Sequence, residues 1–377
     1  MNIKKRISLS PNNALYLHLP FCRLMCSYCA YPKVLLHDKF VRPYLEALKQ
    51  ELVSLNIKPS TIKSIYLGGG TPNALSDDDL KTLLMMLKPY YHYGVEYTIE
   101  MNPELVTTSQ LELLQRFHIN RLSIGVQTFN EKYLQEIKRH HNYRLVKTVI
   151  KTARDHHFNN ISLDLMYGFK NQSEAELLED LAKLISLKVE HVSLYPLMIE
   201  PGTVFGINKY PEMDETTFYR YYHLVRKTLK QAGFHHYEVV NFAKDSRFYS
   251  RHNLTYWTLQ PYYGVGLGAA SYVKEKRSNN THNLTKYLKG DFKEYETLET
   301  KKEAMENYVI FGLRLRKGIS IKAFEAFFSV SFNDICGTIA EKLIEQKLLY
   351  RRGQYLRVPV KQLLLLDYIG REFILDD

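Results

Sequence analysis

Cysteine and tryptophan are scarce here: 377 residues hold four Cys and a single Trp. Four thiols are too few to staple a chain of this size, so a secreted disulfide framework is excluded. Glycine and proline are also sparse, at 18 and 13 residues. Together with 45% hydrophobic residues, that rules out collagen-like, low-complexity and largely disordered chains. No uninterrupted apolar run approaches the ~18 residues of a membrane span. The basic start Met1–Arg6 is followed by neither an apolar segment nor a small-residue cleavage site, which points to a cytoplasmic protein. Charge is in moderate excess, 51 basic against 40 acidic residues or +11. That suits nucleic acid, an anionic membrane or an acidic small ligand, and selects none of them.

What is present is a rhythm. Short apolar runs at Ala14–Leu19, Lys63–Leu67, Glu96–Glu100, Arg121–Gly125, Ile161–Leu165 and His191–Tyr195 alternate with segments of helical period. The helical segments are Asp38–Leu55, Asp77–Leu87, Ser109–Phe117, Arg144–His156, Glu174–Ser186 and Glu215–Ala232, with a short helical stretch at Glu131–Glu136. Six strand-then-helix units in roughly 220 residues predict an α/β fold with a parallel sheet. A closed eightfold barrel needs more units, and a partial, open barrel fits better than a doubly wound sheet. In either, ligands bind at the carboxyl ends of the strands. The division expected is 1–234 for the barrel, 235–300 for a connecting region and 301–377 for a helix-rich tail. The connecting region carries the run Tyr262–Gly268 and a polar stretch, 274–283, that reads as a surface loop. Helices over 303–315, 322–328 and 334–348, then a short strand over 354–358 and a final helix, suggest a winged-helix-like tail.

Three of the four Cys fall within eight residues, as Cys22-Arg-Leu-Met-Cys26-Ser-Tyr-Cys29, directly after the first strand. Thiolates are soft ligands for iron–sulfur clusters, and a four-iron cage held by three leaves one iron open to a small chelator. Zinc is the competitor, but a fourth local Cys or His is missing. The run Gly68–Pro72 follows the second strand, where glycines let the backbone approach a ligand and present N–H groups to a carboxylate. A tight turn is the plainer reading of that run. Glu100 ends the third strand, placed to accept hydrogen bonds from ribose hydroxyls or an amine.

C-x3-C-x2-C after a strand resembles the radical S-adenosylmethionine (SAM) superfamily. The string Tyr16-Leu-His18-Leu-Pro20-Phe21-Cys22 is similar to the narrower branch that contains both the oxygen-independent coproporphyrinogen III dehydrogenases and the HemW-like haem chaperones. The likeness runs from about residue 14 to the carboxyl terminus. It implies a partial (β/α)6 radical-SAM barrel whose 4Fe-4S cluster is held by Cys22, Cys26 and Cys29, with SAM at the open iron. In the dehydrogenases, residues matching Tyr16, Gly69 and Glu100 meet the cluster-bound SAM. Those matching Tyr28, Gly70, Thr71, Gln127, Arg139, Asp164 and Met198 line a second SAM site. Two departures separate this chain from those enzymes: Tyr31 stands where they carry a further Cys, and only 21 residues precede Cys22. Both departures match the HemW-like proteins.

The segment Arg251-His252-Asn253-Leu254-Thr255-Tyr256-Trp257 reproduces HNxxYW, a haem-associated signature of the HemW-like proteins that the dehydrogenases lack. The resemblance makes His252, Asn253, Tyr256 and Trp257 the haem motif. A neutral imidazole at His252 can ligate haem iron, and aromatic rings can pack on the macrocycle. Arg247 and Arg251 are placed to meet propionates. Without the resemblance, a histidine beside aromatics reads as a packed core residue. The adjacent pairs at 140–141, 156–157 and 235–236 make poor chelates, because neighbours in a helix or strand diverge. Cys336 reads as a buried apolar residue, and the tyrosines at 219, 221 and 222 as packing.

The expected function is therefore a haem chaperone, with SAM and an iron–sulfur cluster as cofactors and haem as cargo for acceptor haem proteins. A membrane-bound acceptor, a transient membrane encounter and a cluster-dependent dimer all fit that role. The alternative is the enzyme itself, oxidative decarboxylation of coproporphyrinogen III propionates by radical chemistry. A nucleic-acid partner is not expected, since the basic residues are spread along the chain instead of gathered in one helix.

Overall fold

The computed structural model describes residues 13–375, so Met1–Arg6 lies outside the described residues. Six parallel strands form neighbours in sequence order: β1 (Asn13–Leu19), β2 (Ile62–Gly69), β3 (Glu96–Met101), β4 (Arg121–Gln127), β5 (Ile161–Tyr167) and β6 (His191–Pro196). Each is followed by a covering helix: α1 (Asp38–Ser54), α2 (Asp77–Leu87), α3 (Thr108–Arg116), α4 (Tyr143–Asp155), α5 (Glu174–Ser186) and α6 (Glu215–Gln231). The helices start where capping chemistry dictates. Ser76, Thr107, Asn142 and Asp214 each accept a first-turn N–H, and Ser173 closes a reciprocal pair with Glu176.

The strands are buried on both faces, yet the faces differ. Leu15, Leu17, Ile65, Leu67, Ile99, Leu122, Ile124, Leu163, Val192 and Leu194 join the apolar core beneath the helices. The alternate positions are Tyr16 and His18, Ser64 and Tyr66, Thr98 and Glu100, Arg121 and Ser123, Ser162 and Asp164, and His191 and Ser193. Because side chains alternate along a strand, these polar groups share the other face. A parallel sheet with a polar inner face encloses a lumen, and this is the partial (β/α)6 barrel expected from the sequence.

The sheet extends beyond the six units. β7 (Tyr262–Val265) lies parallel to β1, and β8 (Ala270–Val273), β9 (Lys276–Asn280) and β10 (Lys293–Leu298) follow antiparallel. On the far side, Asn241–Ala243 and His235–His236 add two short antiparallel segments after β6. The polar stretch 274–283 is thus not a loop: β9 pairs along both of its sides. It escaped a reading by hydrophobic period because its pattern, Lys-Arg-Ser-Asn-Asn, carries no apolar residue to mark a buried face.

The tail packs helices Lys301–Gly312, Ile321–Phe328 and Phe332–Glu345 against a small antiparallel sheet of Ile319–Ser320, Tyr355–Arg357 and Tyr350–Arg352. Its own core includes Val309, Phe324, Phe332, Leu343, Leu356 and Phe373, with Cys336 buried among them. Among the described residues, no helix is long and apolar enough to cross a membrane.

Candidate functional site

The cysteine loop is anchored at both ends. Phe21–Cys22 pairs in parallel with Val34–Leu35, and the Gly70 and Thr71 amides donate to the Leu19 and Phe21 carbonyls at 2.8 and 2.9 Å. Inside the loop, the Lys33 ammonium donates to the Cys29 carbonyl. All three thiols are free of disulfides, and Cys22 Sγ accepts the Thr71 hydroxyl at 3.6 Å. Burial pushes the Cys22 thiol up to about 11, with the Thr71 bond opposing it. Burial raises Cys26 too, while the Arg139 guanidinium pulls it down. Among the described residues, no three His, Cys, Asp or Glu side chains gather tightly enough for a single metal ion. Each thiolate of an iron–sulfur cage binds a different iron, so its ligands stand further apart. Three unpaired thiols on a pinned loop fit a three-thiolate cluster.

Glu100 stands beside that loop and is held by two donors. The Tyr66 hydroxyl donates to Oε1 at 2.8 Å and the Gly69 amide to Oε2 at 3.1 Å. Burial, with the Asp164 charge adding to it, raises the carboxyl to about 7 against those bonds. Gly68 has no room for a side chain, since a Cβ would stand 2.9 Å from the Tyr66 ring and 3.0 Å from the Glu100 carboxyl. At Gly69, φ is +108° and a Cβ would meet the His18 ring at 2.6 Å. His18 itself bridges the Tyr16 hydroxyl (3.0 Å) and the Pro32 carbonyl (2.7 Å), tying β1 to the end of the cysteine loop.

Asp164 is raised by burial as well, and the Ser123 hydroxyl lies 3.3 Å from it. Gln127 sits at φ +69°, where the β4–β5 register shifts. That bulge re-aims the last residue of β4. Arg139 is buried and its Nη2 donates to Asn102 Oδ1 (2.8 Å) and the Gly125 carbonyl (2.7 Å). Tyr31 and Tyr195 are 69% and 40% exposed, yet the protein around them raises both phenols. Asp164 adds to both shifts. Met198 is 66% exposed beyond the end of β6.

The structure thus brings Tyr28, Gly69, Gly70, Thr71, Glu100, Gln127, Arg139 and Met198 to the end of the sheet that holds the cysteine loop, with Tyr16 and Asp164 at mid-strand on the inner face. It does not bring the HNxxYW segment there. Helix α7 (Arg251–Trp257) packs at the opposite end, where the Glu96 carboxylate accepts the Arg251 and His252 amides, both at 3.0 Å. Ser64, bonded to His252, is five residues before Gly69 in β2, about 17 Å along an extended strand. His252 is 2% exposed, with Nδ1 3.0 Å from Ser64 Oγ and Nε2 2.8 Å from the Tyr256 hydroxyl. Neither nitrogen is free to bind iron in this arrangement. Trp257 faces the tail, under the Arg314 guanidinium at 4.8 Å. The two expected propionate partners are engaged within the chain: Arg247 pairs with Asp245, and Arg251 donates to the Gly94 carbonyl.

Sequence reading missed Tyr66 and the bridging role of His18. The usable signal was the alternation Ser64, Tyr66, Gly68 on β2, which puts Tyr66 on the face that Glu100 shares.

Two family models match the chain. The radical SAM superfamily covers residues 16–184, and the HemN C-terminal domain covers residues 300–365. This is a radical SAM protein with a HemN-type tail. At chain length, the protein named Heme chaperone HemW in Lactococcus lactis is 35% identical over 380 residues, covering 98% of this chain and 99% of that one. Heme chaperone HemW of Bacillus subtilis is 36% identical, covering 89% and 92%. The chain belongs to the HemW family. Among solved structures, coproporphyrinogen III oxidase (HemN) from Escherichia coli superposes with a TM-score of 0.84 at 20% identity, over 97% of this chain and 91% of that one. At that identity the likeness speaks to the fold.

Proposed function

We propose that the chain is a haem chaperone that carries a SAM-ligated 4Fe-4S cluster and delivers haem to acceptor haem proteins. The observation that carries this reading is the chain-long identity to proteins named Heme chaperone HemW. It is supported by a loop offering three thiols and no fourth: Tyr31 follows Cys29 by two residues, and Cys336 is sealed in the tail core. Cys22, Cys26 and Cys29 hold the cluster, which when bound supplies an open iron for the amino acid end of SAM. Tyr16, Gly69 and Glu100 receive that SAM, with Glu100 held ready by Tyr66 and the Gly69 amide. Tyr28, Gly70, Thr71, Gln127, Arg139, Asp164 and Met198 line the adjoining space. The haem motif comprises His252, Asn253, Tyr256 and Trp257, of which His252 and Tyr256 are bonded to each other. Acceptors include membrane-bound haem proteins, reached from a chaperone that is itself cytoplasmic.

The test is an anaerobic haem titration of the cluster-reconstituted chain, followed in the Soret band. Saturation near one equivalent is expected, followed by haem transfer to an apo-haem protein. Replacing all three loop cysteines by Ala should abolish iron and sulfide incorporation while leaving the chain folded, because the loop is anchored by backbone bonds outside the thiols. A chain that binds no haem but converts coproporphyrinogen III in the presence of SAM would instead establish the dehydrogenase reading.

A further inference from the structure

His252 lies at the floor of the barrel and is linked to the SAM end only through other side chains. Its helix is fixed from below: Ser250 caps it, Glu96 accepts the Arg251 and His252 amides, and Arg251 anchors to the Gly94 carbonyl. A neutral imidazole has one donor and one acceptor, and both are used, against Ser64 and Tyr256. Burial, reinforced by the nearby Arg121 charge, keeps the ring neutral by lowering its pKa to about 3. From that position the ring lies 4.9 Å from Tyr66, tilted by 31°, and 6.2 Å from Tyr16. The Tyr66 ring lies over Gly68, where any side chain would collide with it, and its hydroxyl donates to Glu100. The contacts form one chain from floor to rim: α7, His252, Tyr66, Glu100, Gly69.

We infer that α7 is the floor of the barrel and that His252 is a positioning residue, holding Tyr66 so that Glu100 is aimed at SAM, and is not the haem-iron ligand. The inference rests on the proposed placement of SAM against Glu100. Iron ligation would require His252 to give up both hydrogen bonds and leave a site that is 2% exposed, stranding the Ser64 and Tyr256 hydroxyls. The role assigned here uses the contacts as they stand.

The experiment measures the SAM dissociation constant of the cluster-reconstituted full chain under anaerobic conditions, with the Soret maximum of the haem-loaded form as a second readout. Tyr66→Phe deletes only the hydroxyl given to Glu100 and should weaken SAM binding about tenfold. His252→Ala should weaken it comparably. His252→Gln, whose amide replaces one of the two bonds, should recover part of the loss and leave the Soret maximum unmoved. Arg314→Ala, which loosens α7 from the tail side only, should leave SAM binding as in the parent chain. If His252→Ala does not fold, His252→Gln and Tyr66→Phe still decide. Unchanged SAM affinity in these two, or a displaced Soret maximum in His252→Gln, would overturn the inference and leave the chaperone reading standing. A parent chain that binds no SAM would overturn the SAM placement and this inference with it.

Discussion

Glu100 shows how one half-buried carboxyl ties stability to ligand binding. In the folded chain burial raises it to about 7, whereas an unfolded glutamate titrates near 4.3 (roughly). Between those values the folded chain keeps a proton that the unfolded chain releases. This group therefore costs stability as pH rises through that window, and the cost is complete above the folded value. Without SAM, Glu100→Gln should be more stable than the parent chain at pH 8, by on the order of 3–4 kcal/mol, and the gap should close towards pH 5. Thermal melts at the two pH values check this, and equal gaps at both would remove burial of Glu100 as the cause. The same variant should bind SAM more weakly, since it replaces a carboxylate by a neutral amide.

At the scale of elements, the cysteine loop depends on segments far from it in sequence. The Tyr44 hydroxyl of α1 donates to the His18 carbonyl at 2.7 Å and accepts the Leu267 amide at 2.9 Å. Glu51, one helical stretch further on, is 2% exposed and accepts the Gly266 amide, Asn280 Nδ2 and the Tyr287 hydroxyl. These bonds lock the glycine-rich segment after β7 under the loop. Gly266 has φ +110°, and a Cβ there would stand 2.5 Å from the His18 carbonyl oxygen. Gly266→Ala must strain its backbone and push β1 away from the loop. It should lose about 3 kcal/mol in urea unfolding and retain less iron per chain after reconstitution. Full iron retention at reduced stability would separate the loop from this support.

Over the whole molecule, the junction of barrel and tail includes the only tryptophan. Trp257 packs under Arg314, the Arg316 amide donates to the Tyr237 carbonyl at 3.0 Å, and Tyr222 of α6 joins the tail core. Trp257 fluorescence is consequently a reporter of this junction alone. Arg314→Ala should uncover the ring, red-shifting its emission and increasing quenching by acrylamide, with the far-ultraviolet dichroism unchanged. An emission spectrum identical to that of the parent chain would show that Arg314 does not shield it.

Whatever depends on local order can be read along the chain. Strand and helix alternation follows from the period of burial, the helix starts from Ser, Thr, Asn and Asp at their caps, and the three-thiol loop from its spacing. Even the side of the barrel that carries Glu100 was readable, because a strand end is a position in the sequence. The tertiary structure decided which distant residues meet. Ser64 and His252 are 188 residues apart and hydrogen-bonded, so no pattern along the chain announces that HNxxYW is a floor instead of a rim. β9 belongs to the main sheet because of the partners on its two sides, and its polar residues carry no periodic mark of them. Local chemistry sets which element a segment forms; the contact that gives a side chain its task is made only when the chain closes on itself.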